Sequence, residues 1–298
     1  MFGVAPSDGT SARPAGTSAR GVLIAAYGVA AYAMFLVVFV YLIGFVTDAD
    51  FTVGGVHVVG KSIDRGGLGD GTLTVTAVVI DVLLLGLFAV QHSIMAREGF
   101  KRWWTRVVPP SAERSTYVLA SNVCLILLVA AWYPITHDVW RVSAQPWRAV
   151  LTATALVGWA IALLSTLLID HFDLFGVRQV FARLRGRRPA EHEFTTPLFY
   201  RIVRHPLYLG FLVAFWVTPR MTLGHLLFSI ATTGYILLAI QFEERDLIRV
   251  FGEQYRDYRR RVPMLIPGLG GSPLTNPLPG SRGTRLSSRS GPTRSTPS

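Results

Sequence analysis

Residues able to do chemistry crowd between His171 and Pro267, most densely in Arg204-His205-Pro206-Leu207-Tyr208-Leu209-Gly210. Proline is tolerated in a first helical turn, where no amide donor is required. Arg204 and His205 are therefore predicted at a helix start, with Tyr208 one turn inside. Glu243-Glu244 follow 38 residues after His205. A guanidinium, an imidazole, a phenol and two carboxylates can share one polar site only if the chain between them doubles back.

The hydropathy supplies that return. Pro206–Val217 is apolar but too short to cross a bilayer upright, Thr218-Pro219-Arg220 reads as a turn, and Thr222–Gln241 is long enough to cross. A crossing helix needs about 20 mostly apolar residues. Further spans are predicted at Gly21–Val46, Leu73–Gln91, Tyr117–Pro134 and Ala149–Ile169. The expected fold is thus all-α, a polytopic membrane bundle of five to six transmembrane helices, a C-terminal helical hairpin and amphipathic helices in the cytoplasm. After the hairpin, Leu247, Phe251, Tyr255, Tyr258 and Val262 recur on one helical face. A bend is expected at Gly252 and an end at Val262-Pro263.

Composition agrees with a membrane fold. Of 298 residues, 51% are hydrophobic and 16% charged, against about 25% charged in soluble domains. The net charge of +11 could signal nucleic acid, but its placement answers otherwise: 24 of the 29 Lys and Arg residues fall on one side of the predicted topology. Positive-inside bias puts both termini in the cytoplasm at the cell membrane, and the charge needs no nucleic acid. Trp103-Trp104 beside Lys101-Arg102 suit an interfacial anchor. The single cysteine, Cys124, excludes a disulfide framework and a cysteine zinc site, and no metal is expected. Gly67-Leu68-Gly69-Asp70-Gly71 imitates a nucleotide-binding turn but lacks the strand and helix that such a turn needs, so it reads as a loop. Residues 1–20 and the basic 268–298 tail are expected to be disordered, the tail resting on anionic lipid.

The ordered set His192-x-Phe194-Thr195-Thr196, Tyr200, Arg204-His205-Pro206-x-Tyr208-x-Gly210, Glu243-Glu244, Phe251-Gly252-x-x-Tyr255-x-x-Tyr258 and Arg261-Val262-Pro263 resembles the isoprenylcysteine carboxyl methyltransferase superfamily. Asp81, Gln91-His92-Ser93-x-Met95-Ala96-Arg97, Glu113-Arg114-Ser115 and Asp170-His171-Phe172-Asp173-Leu174-Phe175-Gly176 are similar to its nurim-like branch, and within it to the bacterial methanethiol methyltransferases. The resemblance implies S-adenosylmethionine as methyl donor and a small volatile thiol as acceptor, with dimethyl sulfide as product. It also implies cofactor contacts from His192, Glu193, Phe194, Thr195, Tyr200, His205, Pro206, Leu207, Tyr208 and Glu243, and from Gln179. Arg204, in the same turn, joins the catalytic candidates. Two departures stand out. The superfamily's glycine between threonine and tyrosine is Leu198 here, and its arginine for a substrate carboxylate is Ala239, which favours a small neutral thiol over a prenylcysteine.

Methylation of sulfur proceeds through the thiolate, so a base is expected. His92 and His171, at the cytoplasmic ends of the second and fourth spans, are the candidates. Asp81 lies too deep to touch His92 and is expected either to act functionally or to pair with Asn122. Alternatives remain open: another thiol, an isoprenoid acid or a lipid as acceptor; a haem-binding isomerase; or a non-enzymatic membrane protein. Nothing in the sequence fixes the oligomeric state.

Overall fold

The computed structural model describes residues 19–49, 52–53, 56–57, 60–67, 73–169, 171–185 and 194–269. Helix α1 (Ala19–Val46) is followed by a two-residue antiparallel pair, β1 (Thr52–Val53) and β2 (Val56–His57). Then come α2 (Val75–Ala96), α3 (Glu98–Trp104), α4 (Pro110–Ala131), β3 (Asp138–Arg141) and α5 (Trp147–Ile169). The remainder is α6 (His171–Leu174), α7 (Val177–Leu184), a 3-10 turn at Leu198–Arg201, α8 (Pro206–Trp216), β4 (Arg220–Thr222), α9 (Leu223–Phe251) and α10 (Glu253–Arg261). Among these, α1, α2, α4, α5 and α9 are long and apolar enough to cross a bilayer. The protein is a polytopic all-α membrane bundle with only short strand pairs.

Helix ends follow local chemistry. Thr74 accepts the Ala77 amide at 3.0 Å to start α2, and Pro110 opens α4 with Glu113 in its first turn. Gly252, at φ +55°, breaks the amphipathic stretch into α9 and α10, since a left-handed residue cannot continue a helix. Helix α4 packs against α1 and α2, and α7 closes over α1 and α4.

The short hairpin arm is held by close backbone approach. A Cβ on Gly210 would lie 2.6 Å from the Ala162 nitrogen and the Gly158 oxygen, and one on Gly158 would lie 2.7 Å from Gly210 O and Ala214 N. Gly158 with Ala162, and Gly210 with Ala214, form facing small-xxx-small ridges, the pattern by which membrane helices without a mutual hydrophobic drive gain packing contact.

At 11 residues α8 is roughly 16 Å long, far short of the ~30 Å hydrocarbon layer. The extended segment 217–222 continues the arm, and its polar backbone is satisfied inside protein, as lipid demands. His225 Nε2 and Ser229 Oγ both donate to the Phe215 carbonyl at 2.9 Å, and Trp140 Nε1 donates to Thr218 O at 3.1 Å. β4 pairs antiparallel with β3, and Thr222 caps α9 while donating to Asp64 at 2.6 Å. This far end is closed by a core of Phe45, Trp132, Phe215 and Phe228.

One sequence expectation is corrected here. Asp81 does not pair with Asn122: its Oδ1 accepts the Tyr133 amide at 2.9 Å just past α4, while Asn122 donates to Ala31 O at 3.3 Å. The expected disordered ends beyond Ala19 and Leu269, and Gly69-Asp70-Gly71, lie outside the described residues.

Candidate active site

The hairpin returns His205 to Glu243 and Glu244. His205, the residue before α8, holds its Nε2 3.2 Å from Glu244 Oε1 and its Nδ1 3.9 Å from Glu243 Oε2. Two residues of α9 thus take different tasks. Glu244 is buried and faces cations: Arg204 Nε at 2.8 Å and Arg259 Nε at 3.3 Å. Glu243 accepts the Tyr208 hydroxyl at 3.0 Å and keeps a side chain 26% exposed.

Arg204 is held from several sides. Beyond Glu244, its Nη1 donates to Val262 O at 2.6 Å and Arg259 O at 3.0 Å, and its own amide donates to Pro263 O at 2.8 Å. The chain after α10 is thereby tied to the start of α8. Below it, Phe194 packs on Phe251, Tyr255 and Tyr258 with ring centroids 5.2, 6.0 and 5.4 Å away. Tyr258 donates to Tyr200 O at 2.5 Å, and Tyr200 donates to Ser165 O at 3.4 Å. Burial raises the Tyr200 phenol above its ordinary range and the Glu243 charge raises it further, so it stays a neutral donor.

A second polar network sits one layer away, on α2, α4 and α9. His92 Nδ1 lies 3.1 Å from Ser121 Oγ, and its Nε2 lies 2.6 Å from the Tyr117 hydroxyl. Ser121 spends its own proton on Tyr117 O at 3.0 Å, so its oxygen can only accept from His92. The imidazole therefore carries its hydrogen on Nδ1 and offers the Nε2 lone pair to Tyr117. Ser93 donates to Tyr235 at 3.4 Å. Through Tyr235 the network reaches α9, the helix that carries Glu243.

Of the remaining sequence candidates, Pro206 is buried and Leu207 half-buried in the first turn of α8, and Thr195 is exposed just before the 3-10 turn. His171 is caged elsewhere: Nε2 meets Tyr32 OH at 2.7 Å, and Nδ1 meets Thr166 Oγ1 at 2.8 Å. Burial lowers its basicity. No hydrogen bond, ion pair or ring contact among the described residues joins it to His205 or Glu243. Gln179 on α7 donates to Asp173 Oδ1 at 3.0 Å and is likewise not brought to the mouth by any such contact. His192 and Glu193 lie outside the described residues. Leu198, at the departure from the glycine pattern, has φ +29°, the left-handed backbone that glycine favours. Leucine is ill suited to that conformation.

Sequence reading passed over Glu244 as a partner for Arg204, and Tyr117 and Ser121 as partners for His92. The i, i+4 spacing of Tyr117 and Ser121 put both on one face of α4, but nothing in the sequence says which helix that face meets.

No family model matches the chain, and no solved structure matches it. It is 53% identical over 241 residues to the methanethiol S-methyltransferase of Mycobacterium tuberculosis, covering 81% of this chain and 94% of that protein. It is also 53% identical over 244 residues to methanethiol S-methyltransferase 2 of Bradyrhizobium diazoefficiens, covering 82% and 89%. Nurim of Xenopus laevis is 31% identical over 175 residues, 56% of this chain and 61% of that protein.

Proposed function

The chain belongs to the methanethiol S-methyltransferase family, and from that premise we propose that it methylates methanethiol to dimethyl sulfide with S-adenosylmethionine as donor. The observation that carries this reading is the meeting of His205, Tyr208 and Glu243 at the open end of the α8–α9 hairpin.

The donor's chemistry suits these residues. A carboxylate that is partly open, Glu243, matches an amino group. The faces of Tyr200 and Tyr208 match a sulfonium cation, and Phe194 with the α10 tyrosines offers an aromatic surface for a purine. His192, Glu193 and Thr195 join this set through the family resemblance. Once bound, the donor supplies an electrophilic methyl group. The residues of the chain orient, exclude water and take the acceptor's proton, which the neutral Nδ1–H form of His92 can do. Ala239 leaves no cation for a substrate carboxylate at that position of α9, which supports a small neutral acceptor. The excess of Lys and Arg at the hairpin-mouth end supports a cytoplasmic site with both termini inside.

Purified protein supplied with methanethiol and S-adenosylmethionine is expected to release dimethyl sulfide into the headspace, and His205→Ala or Glu243→Ala to abolish it. Absence of dimethyl sulfide from the wild-type protein, or undiminished formation by both variants, would overturn the reading.

A further inference from the structure

Arg114, on the second turn of α4, is 9% exposed. Among the described residues no hydrogen bond or ion pair reaches its guanidinium, and its Nε is sealed from solvent without a partner. An uncompensated buried charge is costly, so this cation calls for an anion that the described residues do not provide. Tyr117 stands one turn further along the same helix, with its hydroxyl on His92 Nε2, and Ser93 next to His92 donates to Tyr235 on α9, the helix that carries Glu243.

We propose that the acceptor thiol binds against the Tyr117 hydroxyl in the field of Arg114, and that Tyr117 passes its proton to His92. This rests on the thiol methylation proposed above and deepens it by naming where the acceptor sits. The S–H bond breaks with its electron pair left on sulfur, and the proton goes to the Tyr117 oxygen. The phenol's own proton moves in the same step to His92 Nε2, while Nδ1–H stays on Ser121. The sulfur pair then forms the new carbon–sulfur bond as the methyl leaves its sulfonium, whose sulfur keeps the electrons of the broken bond. The sulfonium charge that disappears is replaced by the charge on His92, so the site's total is unchanged. Arg114 holds the thiolate until the methyl arrives. Loss of that proton from His92 after methyl transfer returns the imidazole to its neutral form for the next cycle.

The charged and titratable groups around this pair are Arg114 and Glu113 on α4, Lys101 on α3, Tyr208 on α8 and Tyr235 on α9. Burial lowers Lys101, and Arg114 lowers it further, so Lys101 is a weak competitor for the anion.

The test compares Tyr117→Phe, Arg114→Gln and Arg114→Lys with wild type, using methanethiol and the far more acidic methaneselenol as acceptors. Tyr117→Phe is expected to lose about 100-fold in turnover with the thiol, a usual size for a lost proton-transfer group, yet only a few-fold with the selenol. Arg114→Gln is expected to raise the pH at which a thiol bound to the S-adenosylhomocysteine complex ionises, read from thiolate absorbance without turnover. Arg114→Lys retains the wild-type ionisation. All variants are expected to bind S-adenosylhomocysteine as wild type does, which certifies the fold. Equal losses with thiol and selenol, or an ionisation unmoved in Arg114→Gln, would overturn the proposal. A loss of S-adenosylhomocysteine affinity in Arg114→Gln would overturn it too, because Arg114 would then serve the donor's carboxylate. Failure of wild type to form dimethyl sulfide would instead refute the thiol reading itself.

Discussion

Glu244→Gln probes the clasp that shapes the hairpin mouth. The amide keeps the volume and an acceptor oxygen but deletes the charge facing Arg204, whose side chain is 8% exposed against 5% for Glu244. Removing one member of a buried pair costs about 3–5 kcal/mol, because the other charge is left uncompensated. The two carbonyl bonds of Arg204 survive, and the half-exposed Arg259 contributes only about 0–1 kcal/mol. The expected loss is therefore about 3 kcal/mol, which for a chain of this size corresponds to roughly 6–12 °C in melting temperature. Thermal unfolding in detergent, followed by tryptophan fluorescence, measures it. A shift within 2 °C for Glu244→Gln would refute the assignment of Glu244 as the countercharge.

Three further outcomes follow from local geometry. Gly210→Ala sets a methyl against backbone atoms of α5 and is expected to cost about 1–3 kcal/mol, whereas Gly86→Ala, with open space around its Cβ, leaves the same melting curve unmoved. Leu198→Gly relieves a left-handed strain of ~1–2 kcal/mol against ~1 kcal/mol of added chain entropy; the side chain is 61% exposed, so the melting temperature should hold or rise, and Leu198→Ala should not raise it. Burial, opposed by Thr222 and Arg220, lifts the Asp64 carboxyl from 3.8 to about 6. An acid that is weaker when folded contributes stability below its unfolded pKa and loses it as pH rises through the folded one. Wild type should thus lose about 3 kcal/mol between roughly pH 4 and pH 7 at this group, a slope that melting of Asp64→Asn over the same range is expected to lack.

The long helices were legible because an apolar run of bilayer length has few other uses, and the meeting of His205 with Glu243 followed from an even return of the chain. The shortness of α8 was visible as well. What fills its missing length was not: satisfaction of the Phe215 carbonyl by His225 and Ser229 depends on an extended turn that no periodicity announces. The facing Gly158 and Gly210 ridges could not be matched, because small residues do not say which helix they meet. His171 was a base candidate by its position after α5; that Tyr32 and Thr166 would flank its ring was not legible. Asp81 found a backbone amide at the end of α4, a partner without a sequence signal. Arg114 was noticed only as part of a resemblance; that no counterion reaches it among the described residues is a property of burial that sequence does not carry.

The donor site at the hairpin mouth is tested most directly by equilibrium binding of S-adenosylhomocysteine to wild type, Glu243→Ala and His92→Ala. A charge-assisted contact worth about 1.5–3 kcal/mol gives a Kd raised about 10- to 100-fold for Glu243→Ala, with His92→Ala unchanged because His92 serves the acceptor. Equal affinity for wild type and Glu243→Ala would contradict a donor seated between α8 and α9.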